Sequence, residues 1–129
     1  MDTNEFVRRV KEETGLTDRA EVRRAIVAAL EALAAALPPD EAHDLGSQLP
    51  RGLKELVWSR QSSRMPAKPL DWQGLLTSVR NALHPGHREQ ATHVTRAIFA
   101  VLREAVSPGE LDDIVSVLPP ELQRTVQPA

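Results

Sequence analysis

The chain repeats itself. Residues 6–57 lie over residues 75–126 without a gap, so that Val10 meets Val79, Arg19 meets Arg88, Leu33 meets Leu102, Pro39 meets Pro108 and Glu41 meets Glu110. Further along, Asp44 meets Asp113, Leu49 meets Leu118, Pro50 meets Pro119, Leu53 meets Leu122 and Val57 meets Val126. Apolar character persists at Phe6/Leu75, Leu30/Phe99, Leu37/Val106 and Leu45/Ile114, where identity does not. A gapless match of this length reads as a duplication. It narrows the fold sharply, because whatever buries the hydrophobic face of one copy must also serve the other.

Each copy parses into four helices. In the first, Val22, Ile26, Leu30, Leu33 and Leu37 recur at helical spacing while Arg19, Glu21, Arg23 and Glu31 fall off the stripe, so one face of a long second helix is buried. Asp18 followed by Glu21 has the form of a capping box at its start. Val94, Ile98, Val101, Leu102 and Ala105 play the same part in the second copy. The third helices open at Pro39 and Pro108, where a missing amide costs nothing because the first turn has no partner for it. Ser107 supplies a side-chain acceptor before Pro108, whereas Pro38 supplies none before Pro39, so the first of these junctions is expected to be the weaker. Leu49-Pro50 and Leu118-Pro119 then stop each third helix, since proline disfavours the helical region for the residue before it. A short fourth helix follows, with Leu53, Leu56 and Val57 turned inward.

The expected fold is therefore all-α: two tandem four-helix units packed into one helical bundle-like domain, with Leu49, Pro50, Leu118 and Pro119 as structural anchors. The stripe from Val22 to Leu37 is expected to lie against its counterpart from Ala91 to Val106. Residues 59–70 hold prolines, serines and the cations Arg60, Arg64 and Lys68 without apolar periodicity, which reads as a basic linker between a first unit at 1–58 and a second at 71–129. At 129 residues the units are short for independent cores, and one cooperative domain is expected.

The run FVRRVKEETGL, the long alanine-rich helix, PPDEAHDLGSQLP and HVTRAIFAVLREAVSPGELDDIVSVLP together resemble the bacterial family known as domain of unknown function 2267. The likeness covers nearly the whole chain, and its most specific element is the doubled capped helix ending in Leu-Pro. It implies an all-α fold of duplicated units and brings no activity or catalytic residue with it. Gln48 precedes the first Leu-Pro and Val117 the second, so a polar role for that position is not shared by the two copies.

Composition excludes several functions. The chain has no cysteine, hence no disulfide, thiolate nucleophile or sulfur-ligated metal, and a reducing compartment is the natural setting. The first ten residues carry Asp2, Glu5, Arg8 and Arg9 in place of an apolar leader, and the longest apolar run, Ala32 to Leu37, falls far short of the roughly 20 residues that cross a bilayer. A cytoplasmic protein without a membrane partner is expected. A formal net charge of -2 gives no long-range field toward nucleic acid.

His84, His87 and His93 form the one group with metal-ligand character, set against a Pro85-Gly86 turn signal that explains two of them as solvated loop residues. The acidic pairs Glu12/Glu13, Asp40/Glu41 and Asp112/Asp113 fall at helix ends, where the macrodipole accounts for them. With no nucleophile elbow and no glycine-rich loop, no catalytic residue and no cofactor is expected. The leading expectation is a non-enzymatic helical protein–protein interaction or adaptor module, a monomer or weak dimer. Its contact residues would include Trp58, Arg60, Arg64, Lys68 and Trp72, with both tryptophan rings near the seam between the copies. The first alternative is a weak nucleic-acid binder using the linker cations and the arginines of the first two helices. The second is a metal protein or enzyme built on His84, His87 and His93.

Overall fold

The computed structural model describes residues 1–61 and 69–126. Among these there are eight α-helices, one 3₁₀ segment and no strand. The helices are α1 (Thr3–Thr14), α2 (Arg19–Ala36), α3 (Pro39–Gln48), α4 (Arg51–Gln61), α5 (Trp72–Ala82), α6 (Ala91–Ala105), α7 (Pro108–Val115) and α8 (Pro120–Val126), with the 3₁₀ turn at Pro85–Gln90 between α5 and α6.

Local chemistry sets the ends of these helices. Asp2 accepts the Glu5 N–H at 2.7 Å to start α1, and Asp71 accepts the Gly74 N–H at 3.0 Å to start α5. α1 stops where Gly15 adopts φ 77 and donates to the Lys11 carbonyl at 2.8 Å, a left-handed turn that glycine enters without a side-chain clash. Proline stands at the first turn of both α3 and α7. Ser107 accepts from the Glu110 N–H at 3.3 Å, whereas Pro38 gives α3 no side-chain cap. The extended backbone of Leu49, φ -86 and ψ 155, ends α3 directly before Pro50.

The linker differs from its sequence reading at one end. α4 runs on to Gln61, because residues 59–61 contain no helix breaker and the first proline comes only at Pro66. Arg60 thus stands in the last turn of a helix, and Arg64 and Lys68 lie outside the described residues.

The helices interlock. α5 lies along α2 and α1 lies along α6, so the first helix of each half is seated on the long helix of the other. α4 covers another side of α2, α8 another side of α6, and α3 bridges α4 and α7. The long stripes meet these neighbours more than they meet each other, which corrects the expectation that α2 and α6 would bury one another face to face. The exchange buries the apolar faces of the first helices: Phe6, Val7 and Val10 of α1 and Leu75, Leu76 and Val79 of α5 are all buried, and each such side chain is worth about 1.5–3 kcal/mol. One continuous core results, running through both halves and including Leu49, Leu53, Leu118 and Leu122.

Leu49 and Leu118 retain 4% and 3% of their exposure, and each closes a buried helical face at a chain reversal. Leu49→Ala and Leu118→Ala are each expected to cost about 2–5 kcal/mol through lost burial and the cavity left behind. Urea melts measure this; a loss below about 1 kcal/mol in both would contradict the anchoring role.

Candidate functional site

The amino-terminal end of α2 gathers side chains from distant parts of the chain. Asp18, the N-cap residue, accepts the Ala20 N–H through Oδ1 at 3.0 Å, which leaves Oδ2 to meet His84 Nε2 at 2.7 Å. Glu21, expected off the buried stripe, is instead fully buried. It does not reach back to close the capping box; its Oε2 accepts the backbone N–H of His84 at 2.7 Å and lies 2.8 Å from His87 Nδ1. Its Oε1 stands 3.8 Å from His84 Nε2. Burial alone would raise the Glu21 carboxyl, but the His84 N–H and the His87 ring outweigh it and hold it below the usual carboxylate range. The hydrogen bond from His84 holds Asp18 low as well.

Of the three expected histidines, the structure brings two together. His84 and His87 face the carboxylates, while His93 lies on α6 and meets the Glu13 carbonyl through Nε2 at 3.1 Å. Nearness in sequence grouped it with the others, and the helical path through α6 separates them. The two tryptophans each have partners within their own half. Trp58 stacks on His43 with ring centroids 5.3 Å apart, donates to the His43 carbonyl at 3.4 Å and lies beneath Lys54. Trp72 sits at the edge of the core with the Arg96 guanidinium 5.6 Å from its ring. The arginines of α1 are also engaged: Arg9 holds Glu12 at 2.8 Å and Glu13 and Glu104 at 2.9 Å, and Arg8 pairs with Glu12.

The outer face of α2 carries a second feature. Ala20, Arg23, Arg24, Val27, Ala28 and Glu31 line a shallow, open furrow of about 430 Å³. Arg24 is fixed there by its Nε, which donates to the Ala82 carbonyl at the end of α5 at 3.2 Å. Among the described residues, neither Arg24 nor Glu31 belongs to an ion pair.

A third group lies where α3 meets α7. Glu41 and Glu110 belong to first turns, where the helix dipole accounted for Glu41 in the sequence, yet both turn inward. Glu41 Oε2 and Glu110 Oε1 are buried without a hydrogen-bond partner. Burial pushes the Glu110 carboxyl up to about 7, with Asp44, Glu41 and Asp113 adding to the effect. Burial raises Glu41 too, reinforced by Asp113, Asp44 and Asp40.

These features define a small all-α protein whose polar chemistry collects on one long helix and on one acidic seam, with no described helix long and apolar enough to cross a membrane. The chain belongs to the family described as "Uncharacterized conserved protein (DUF2267)", which matches residues 3–125. No curated protein matches the chain.

The acidic seam has a pH signature. A carboxyl whose pKa is higher folded than unfolded contributes its stability in the protonated form, in full below about 4.5, and loses it as pH rises toward about 7. Glu110→Gln keeps the shape and removes the proton dependence. Between pH 5 and pH 8 it should gain about 1 to 3 kcal/mol over the wild type. Urea melts of both proteins at the two pH values give the difference, and parallel pH profiles would rule out the buried-acid reading.

Proposed function

We propose that the protein is a non-enzymatic helical interaction module that pairs reversibly through the outer stripe of α2, with a second copy of the chain as the partner. The observation that supports this is the order of residues along the furrow, which runs from Ala20 to Glu31: Arg24 precedes Val27 and Ala28, and Glu31 follows them at the same spacing. Run antiparallel, two such stripes are self-complementary. A two-fold axis between Val27 and Ala28 sets Arg24 of each copy opposite Glu31 of the other, and the isologous geometry satisfies both pairs at once. Arg23 then faces Ala32, and Ala20 faces Ala35; small residues at those positions let helix backbones approach.

The bond from Arg24 Nε to the Ala82 carbonyl supports the same reading. It holds the guanidinium in place and leaves the terminal nitrogens for a carboxylate, so little side-chain entropy is lost on pairing. A stripe of this length, roughly 16 Å at 1.5 Å per residue, gives a contact at the small end of interface sizes, and a weak, concentration-dependent dimer is the consequence.

Sedimentation or light scattering across a hundredfold concentration range should show a monomer–dimer equilibrium with a dissociation constant of about 10 µM to 1 mM. Arg24→Glu and Glu31→Arg should each weaken it about tenfold or more through like-charge contacts. Mixing the two variants should restore association, because each then supplies the charge the other lacks. A strict monomer at all concentrations, or a dimer indifferent to both substitutions, would overturn the proposal.

A further inference from the structure

The cluster at the start of α2 plays no part in that pairing, and the fold itself does not require its chemistry. The two seams between halves can be compared position by position. Arg24 and His93 occupy matching places in the repeat, and each reaches the carbonyl at the end of the other half's first helix, Ala82 and Glu13 respectively, which also match. The seams are thus closed in the same way. In the α1/α6 seam, however, Gly15 stands where His84 stands and Gln90 where Glu21 stands. One junction is built without any carboxylate–imidazole contact, while the other spends two carboxylates and two imidazoles on it.

We propose that Asp18, Glu21 and His84 form a binding site for a divalent cation of the zinc type, with His87 as a positioning residue that holds Glu21. One ligand atom from each of the three lies within 4.8 Å of the others. His84 Nε2 is 2.7 Å from Asp18 Oδ2 and 3.8 Å from Glu21 Oε1. These separations straddle the edge of about 3.3 Å expected for a tetrahedron with metal–ligand bonds near 2.0 Å. The division of labour among the oxygens fits the assignment. Asp18 spends Oδ1 on the helix cap and presents Oδ2, while Glu21 spends Oε2 on the His84 N–H and presents Oε1. His87, which bonds both Glu21 oxygens at 2.9 and 2.8 Å, fixes the carboxylate plane as partners of a ligating group do.

The cation takes the place of the proton held between His84 Nε2 and Asp18 Oδ2, and that proton leaves to solvent. An imidazole nitrogen with two carboxylate oxygens selects zinc or a similar transition ion over magnesium and calcium, which prefer oxygen alone. Asp18 and His84 each leave 45% of the side chain open, so water completes the fourth position.

The test uses the full chain purified without a histidine tag, stripped with chelator, and titrated with zinc against a chromophoric competitor. One equivalent should bind, and cobalt substitution should give a visible spectrum typical of four-coordinate nitrogen and oxygen ligation. His84→Ala, at a side chain nearly half open, and Asp18→Asn, which keeps the helix cap, should each weaken binding at least tenfold without loss of helical signal. His93→Ala should leave it unchanged. No uptake, more than one equivalent, or equal affinity in His84→Ala would overturn the proposal, the last two marking an adventitious ion only. None of these outcomes depends on self-association, which is read separately by sedimentation.

Discussion

Because α1 lies on α6 and α5 lies on α2, the core beneath each long helix includes a helix contributed by the other half. Phe6, Val7 and Val10 complete one seam, and Leu75, Leu76 and Val79 complete the other. Their burial outweighs the polar contacts alongside, since a buried apolar side chain contributes about 1.5–3 kcal/mol and a typical hydrogen bond about 0.5–1.5 kcal/mol. The polar contacts do something different. Arg24 on the Ala82 carbonyl and His93 on the Glu13 carbonyl tie the end of each first helix to the opposite long helix, which fixes how far one helix can slide along the other. Different side chains, Arg24 in one seam and His93 in the other, perform the same task.

With register set in this way, the two seams differ in their other polar contacts. The α2/α5 seam sets His84 and His87 opposite Asp18 and Glu21, and the turn that carries them is a 3₁₀ segment ahead of an α6 shorter than α2. α2 therefore has three distinct surfaces: a buried stripe, a polar amino-terminal corner, and an outer furrow that carries Arg24 and Glu31. The proposed self-pairing and the proposed cation site use different ones of these. Neither needs the core to change.

The acidic seam shows the opposite consequence of matching sequence positions. Glu41 and Glu110, with Asp44 and Asp113, occupy matching places in the repeat, and where α3 and α7 meet they bring like charges together. Glu110 retains only 5% of its exposure, so its repulsion and desolvation are relieved by protonation and not by solvent. Gln48 offsets part of the loss by crossing to the same junction, where its Oε1 accepts the Ser107 N–H at 2.6 Å.

Period and punctuation determined the helices. Apolar spacing marked the buried faces of α2 and α6, and Pro39, Pro108, Leu49-Pro50 and Leu118-Pro119 marked ends, because helix formation and termination depend on residues within a turn or two of each other. The same local logic identified Asp18 as a cap and His84 and His87 as potential ligands by residue type. It failed wherever a partner came from far along the chain. Glu21 was read as the second arm of a capping box, yet His84 and His87, more than sixty residues away, claim its carboxylate. His93 was grouped with histidines that the path of α6 carries it away from, and the long stripes were set face to face where the fold exchanges the first helices. The tertiary structure decided these points because an apolar face specifies only that it must be buried, and a carboxylate only that it must find a donor. Which face and which donor depend on the packing of all the helices at once.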